Sequence, residues 1–221
     1  MAAATYDEAR AEAFAGRMLD MLNGGALMVM TSVGHRTGLF DALAELDDAT
    51  SHELAEAAEL DERYVREWLG AMVTGRIVEL DPETHRYSLP AEHAAWLTRA
   101  ASPDNLAVEA QWITTLSAVE DDILECFQNG GGVPYQRFER FHEVMAEESG
   151  QSVFSALESH ILPLVPGLHE SLTSGIRMLD VGCGRGRIIT RLAELYPASR
   201  FVGLDLSREA ITFAHGAVAE N

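Results

Sequence analysis

The sequence predicts a mainly α-helical N-terminal domain with the element order of a winged helix, followed by the opening β-α-β-α part of a parallel α/β domain. Two stretches carry this expectation. Residues 38–100 read as three amphipathic helices followed by two short apolar runs about a turn. Residues 177–207, RMLDVGCGRGRIITRLAELYPASRFVGLDLS, read as a strand, a glycine-rich turn, an amphipathic helix and a second strand ending in an acid. The expected domains are therefore 1–100, a helical linker over 101–175, and an α/β region over 176–221.

Each element has its own signal. Ala11, Phe14, Met18, Met21 and Leu22 share one face of a helix over 6–22. Asn23-Gly24-Gly25 predicts a break, and a second apolar helix covers 26–37. Phe40, Leu43 and Leu46 mark the first helix of the winged-helix order. Thr50-Ser51-His52-Glu53 fits a capping box opening the second helix, which runs through Leu60. Asp61 caps a third, with Tyr64, Val65, Leu69 and Met72 as its apolar residues and Gly75 at its end. Residues 77–80 then form a strand, 81–85 a turn, and 87–89 a returning strand before Pro90.

The linker predicts one long helix over 103–128. Trp112, Leu116, Val119, Ile123 and Phe127 form its apolar stripe, read as core or dimer contact, and Glu120, Asp121, Asp122 and Glu125 a solvated acidic region. Gly130, Gly131 and Gly132 end it, either as a flexible linker or as a loop approached by a ligand. A further helix over 151–174 places Val153, Phe154, Leu157 and Ile161 on one face, with Pro163 and Pro166 breaking it. After the second strand, Ser207 caps a last helix with Ala210, Phe213, Ala214 and Ala217 inward.

Charge narrows the function. Sixteen basic residues, all arginine, face 35 acids, for a net charge of −19. Residues 36–99 hold six arginines against 14 acids, a net of −8. A winged helix that reads DNA needs a cationic face, so a nucleic-acid partner is disfavoured, as is an anionic membrane. The longest apolar run, 26–30, is too short to span a bilayer. No secretory signal is visible, and Cys126 and Cys183, 57 positions apart, fit no metal spacing. Two isolated thiols suit a reducing cytoplasm.

The glycine-rich turn is the most specific feature. Its glycines permit tight backbone and close approach of a ligand near a helix N-terminus. Asp205 follows Gly182 by 23 residues and ends the second strand, where a carboxylate can accept both hydroxyls of a ribose. The dinucleotide fingerprint fits poorly, because Arg187 stands where its last glycine belongs. The pattern Asp180-Val181-Gly182-Cys183-Gly184-Arg185-Gly186, with Gly203-Leu204-Asp205 after it, resembles the first two motifs of class I S-adenosylmethionine (SAM)-dependent methyltransferases, whose fold is Rossmann-like. The resemblance implies SAM as cofactor. Gly182, Gly184 and Gly186 would then lie under its methionine part, Asp180 near its amino group, and Asp205 at its ribose.

Upstream, Phe141, Met145 and Ser149 match an F-x-x-x-M-x-x-x-S pattern of the winged-helix small-molecule O-methyltransferases. In that family the segment borders the cofactor, the apolar pair near the methionine portion and the serine near its carboxylate. Four-residue spacing puts the three on one helical face, which also suits plain core packing. His142 is read either as a base facing the acceptor or as a surface or core histidine. The resemblance further implies a homodimer through the winged-helix domain and a small-molecule methyl acceptor. It places the catalytic base downstream, so no catalytic residue is assigned. A complete domain of this class resembles a seven-stranded sheet, so the sequence reads as a fragment or truncated product of a longer enzyme. A winged-helix transcriptional regulator sensing a metabolite and a non-catalytic dimerisation partner are the alternatives.

Overall fold

The structure, a computed structural model, describes residues 6–219, with side chains through 216. The described chain divides into two compact units. One comprises residues up to 101 together with 106–138, the other residues 102–105 together with those from 139 onward.

The first unit is built on α1 (Glu8–Thr37), α2 (Leu39–Leu46), α3 (Ser51–Ala57) and α4 (Glu62–Thr74). Its core joins Leu39, Phe40, Leu43, Leu54, Val65, Trp68, Leu69 and Met72, with Leu27 and Met30 of α1 packed on it. Phe40 meets Trp68 edge-on at 5.1 Å, and the Trp68 indole donates to the Met30 carbonyl at 2.9 Å. The capping box forms: Thr50 Oγ1 accepts from the Glu53 amide at 3.3 Å, and Glu53 Oε2 accepts from the Thr50 amide at 2.8 Å. Asp61 caps α4. The wing is a three-stranded antiparallel sheet of β1 (Asp48–Ala49), β2 (Glu79–Asp81) and β3 (Arg86–Ser88) in the order β1-β3-β2. Then come α5 (Ala91–Leu97), α6 (Gln111–Ser117) and α7 (Glu120–Asn129).

Two expectations for this unit are corrected. Asn23-Gly24-Gly25 does not interrupt the chain, since α1 is one helix of 30 residues. An interior glycine costs only about 1 kcal/mol relative to alanine, and packing of the C-terminal half of α1 on α4 and α6 outweighs that. The helix expected over 103–128 is also two shorter ones. Residues 118–119 close a tight turn, and Glu120, Asp121 and Asp122 open α7, where the positive helix end favours carboxylates. The acidic run thus marks a start rather than a mid-helix face. Of the apolar stripe, Val119 is buried, while Leu116, Ile123 and Phe127 are exposed.

The second unit opens with α8 (Phe141–Ser149). The regular helix expected over 151–174 is corrected to wide helical turns at Gly150–Phe154 and Leu157–Ile161, a tight turn at Leu162–Leu164, and α9 (Leu168–Ser174). Pro163 lies in the tight turn, and Gly167, at φ 77°, starts α9 afresh. The α/β part is β4 (Arg177–Val181), α10 (Arg187–Leu195), β5 (Arg200–Leu204) and α11 (Arg208–Ala219). β4 and β5 pair in parallel with Asp180 opposite Gly203. Their inner face contributes Met178 and Phe201 to a core with Leu157, Leu162, Leu172, Leu192 and Tyr196. The expected inner residue Ala217 lies outside the described side chains.

Candidate cofactor site

The site lies at the carboxyl ends of β4 and β5, where parallel strands present ligands. Gly182, Gly184 and Gly186 adopt φ of 83°, 52° and 74°. All three lie in the left-handed region that side chains with a Cβ disfavour. Open space stands beside Gly182 and Gly184, where no heavy atom comes within 4 Å of an added Cβ.

The amides of this turn are largely committed internally. Those of Gly182 and Cys183 donate to the Leu204 carbonyl at 2.7 and 3.0 Å, and that of Gly186 to the Cys183 carbonyl at 2.9 Å. The Gly184 amide donates to Asp205 Oδ2 at 2.8 Å, and the Ser207 amide to Asp205 Oδ1 at 2.7 Å. A phosphate cradle needs convergent free amides. This turn instead spends them on holding its own shape. Each Asp205 oxygen keeps a further lone pair that can accept a hydroxyl.

Asp180 is half-buried, and burial, together with the charge of Asp205, raises its carboxyl above the ordinary range. Burial, then Asp180 and Asp205, raise the Cys183 thiol. A pair of carboxylates at this strand end favours a cationic or hydroxylic ligand over an anionic one. Cys183 also sets the turn on the sheet: a Cβ on Gly203 would stand 2.7 Å from its sulfur and from Ile189 Cδ1.

A cavity of about 150 Å³ opens between α8 and the turn, lined by His142, Met145, Ala146 and Ser149 on one side and by residues of 182–188 and Ala210 on the other. Met145 and Ser149 therefore meet Gly182 and Gly184 across one space. Gly186 is buried beneath Ala214, at 3.2 Å from an added Cβ. Phe141, Asp180 and Asp205 are not among the lining residues; Phe141 instead packs edge-on against His142 at 5.7 Å. His142 Nε2 stands 3.5 Å from Ser207 Oγ, the hydroxyl that accepts from the Ala210 amide to cap α11. The sequence did not assign Arg185, Arg187, Ile188 or Ala210 to the site. Only Arg187 carried a signal, as the departure from a final glycine. Among the described residues no group of three His, Cys, Asp or Glu could hold a metal ion. No described helix is long and apolar enough to cross a membrane.

Comparison with known proteins gives matches to both parts of the chain. Residues 25–99 match an Rv2258c-like winged HTH domain, and residues 172–221 a methyltransferase domain. Over 86 residues the chain is 30% identical to malonyl-[acyl-carrier protein] O-methyltransferase of Bacillus cereus, covering 39% of this chain and 27% of that protein. Among solved structures, mitomycin 7-O-methyltransferase MmcR superposes with a TM-score of 0.63 at 16% identity, covering 97% of this chain and 64% of that one. Human N-acetylserotonin methyltransferase in complex with SAM gives 0.63 at 17% identity, with the same coverage. The chain thus spans less than two thirds of the length of these structures. It joins a winged helix-turn-helix domain of the Rv2258c-like type to methyltransferase-domain sequence, on the fold these methyltransferases share.

Proposed function

We propose that this chain binds S-adenosylmethionine and serves methyl transfer to a small-molecule acceptor. The observation that carries the proposal is the glycine turn whose amides are bound internally, closed by Asp205 and faced by Met145 and Ser149. Such a turn suits a cofactor that carries a ribose and an amino acid but no pyrophosphate. Asp205 would accept the ribose hydroxyls, Asp180 would face the ammonium group, and Gly182 and Gly184 would leave the backbone open to the methionine part, while Gly186, buried beneath Ala214, would hold the shape of the turn. Met145 and Ser149 would form the opposing wall, the serine toward the carboxylate, with Phe141 packed against the lining His142.

When bound, SAM supplies an electrophilic methyl group on a sulfonium, displaced in line. This chain's residues bind and orient the cofactor and exclude water; alignment is the principal protein contribution to such a transfer. His142 lines the cavity with Nε2 3.5 Å from Ser207 Oγ, and its imidazole would be a candidate to exchange a proton with an acceptor. A homodimer is supported by the exposed Phe14, Leu19, Met21 and Leu22 along the N-terminal half of α1. Two cysteines without a disulfide suit a cytoplasmic setting.

A regulator reading is disfavoured by the net −8 over residues 36–99. Equilibrium dialysis with radiolabelled SAM, competed by S-adenosylhomocysteine and separately by a dinucleotide, tests the cofactor assignment. Competition by the first and not the second is expected; the reverse order would discard it.

A further inference from the structure

We infer that Arg187 is a positioning residue of the cofactor site, fastening α8, one wall of the cavity, to the glycine turn, the other wall. What the clamp does for ligand rests on the SAM reading above; the clamp itself does not.

Arg187 occupies the place where a dinucleotide-type turn carries its last glycine, and it is the first residue of α10. Its guanidinium reaches back across the mouth of the turn. Nη1 donates to the Ala146 carbonyl at 3.1 Å, and the guanidinium carbon lies 4.9 Å from the centre of the Phe154 ring. Between these contacts it passes over Gly150, where an added Cβ would stand 2.5 Å from Nη1. One side chain thus meets Ala146, which lines the cavity, and Gly150 and Phe154 just beyond it. Arg86, Arg137 and Arg191 pair with carboxylates instead. Arg187 is committed to a carbonyl near the negative end of α8 and to an aromatic face, both of which favour a planar cation.

The absence of a side chain at Gly150 belongs to the same device. Gly150 has ordinary helical geometry, φ −66° and ψ −41°, so glycine is not required by the backbone. What stands beside it is the flexible guanidinium, so alanine there would push Arg187 aside without straining the helix and should reproduce part of the loss of the arginine.

The test uses the whole chain and three variants, Arg187→Met, Arg187→Lys and Gly150→Ala, with the Arg187→Met/Gly150→Ala double variant. Hydrogen–deuterium exchange of amides 144–149 is read without ligand, and SAM affinity by calorimetry. Arg187→Met is expected to speed exchange in α8 and to weaken SAM roughly threefold to tenfold, the range of one partly exposed charge-assisted hydrogen bond. Arg187→Lys should recover part of both effects. Gly150→Ala should weaken SAM in the same direction as Arg187→Met but by less, since alanine also favours the helix, and the double variant should bind no worse than Arg187→Met alone. Unchanged α8 exchange in Arg187→Met, or full additivity in the double variant, overturns the clamp. A wild-type chain that binds no SAM overturns the cofactor reading instead, and the clamp then stands or falls on exchange alone.

Discussion

Gly203 offers the sharpest test of how the turn is seated. A Cβ there would lie 2.7 Å from Cys183 Sγ and from Ile189 Cδ1, and 3.1 Å from Cys183 Cβ. Ile189 can rotate its terminal methyl aside. The Cys183 sulfur cannot retreat as easily, since it is two bonds from a backbone held by the amide bond to Leu204 at 3.0 Å. Ordinary contact begins near 3.4 Å, so the thiol must withdraw by about 0.7 Å, the difference between 3.4 and 2.7. The displacement passes into the glycine turn. Overpacking of this kind costs about 1–3 kcal/mol, and replacing a strand glycine returns about 0.5–1 kcal/mol. A net loss of about 1 kcal/mol, reaching at most about 2.5 kcal/mol, is therefore expected for Gly203→Ala, together with weaker SAM binding. Urea unfolding followed by circular dichroism measures the first and calorimetry the second. Cys183→Ala should restore much of both in the double variant, with a coupling of about 1 kcal/mol. Wild-type stability and affinity in Gly203→Ala, or strict additivity with Cys183→Ala, would refute the packing argument.

Further outcomes follow from the same physics. Asp180 titrates above its unfolded value, so the folded state binds the extra proton, and stability falls as pH rises from the ordinary aspartate range through the raised value. Asp180→Asn should flatten that dependence and stabilise the free chain at neutral pH while weakening SAM; unfolding curves across pH check the sign. Trp68→Phe, which removes the bond to the Met30 carbonyl and shrinks a fully buried ring, should cost about 2 kcal/mol in denaturation. Alanine at Gly24 and Gly25, where no atom lies within 4 Å of an added Cβ, should raise helicity and gain up to about 1 kcal/mol per site. A fall in helicity there would contradict a continuous α1.

Local chemistry made much of this fold legible. The capping box at Thr50 and Glu53 and the Asp61 cap are decided by neighbours two or three residues apart, and both form as read. The apolar runs of β4 and β5 and the glycine turn between β4 and α10 are similarly local, but Leu179, Val181, Val202 and Leu204 of those runs are exposed rather than buried. What escaped depended on partners distant in sequence. The continuity of α1 through Gly24 and Gly25 comes from packing on α4 and α6. The Arg187 guanidinium, 37 positions later, packs on Gly150 where the wide turns begin. β1 is two residues long and exists through its pairing with β3. In the site, residue type identified the turn and its acid, but not that Asp205 braces the turn through Gly184. That bond depends on how far the second strand brings its carboxylate back.

Calorimetric titration of the whole chain with SAM, beside Asp205→Asn, measures the cofactor assignment most directly. Asparagine leaves one carbonyl oxygen where the carboxylate has two, both engaged by amides, and removes the charge. Saturable one-to-one binding by the wild type is expected, weakened at least tenfold, or about 1.4 kcal/mol, in the variant. Equal affinity in the two chains, or binding by neither, would contradict a cradle built on Gly182, Gly184 and Asp205.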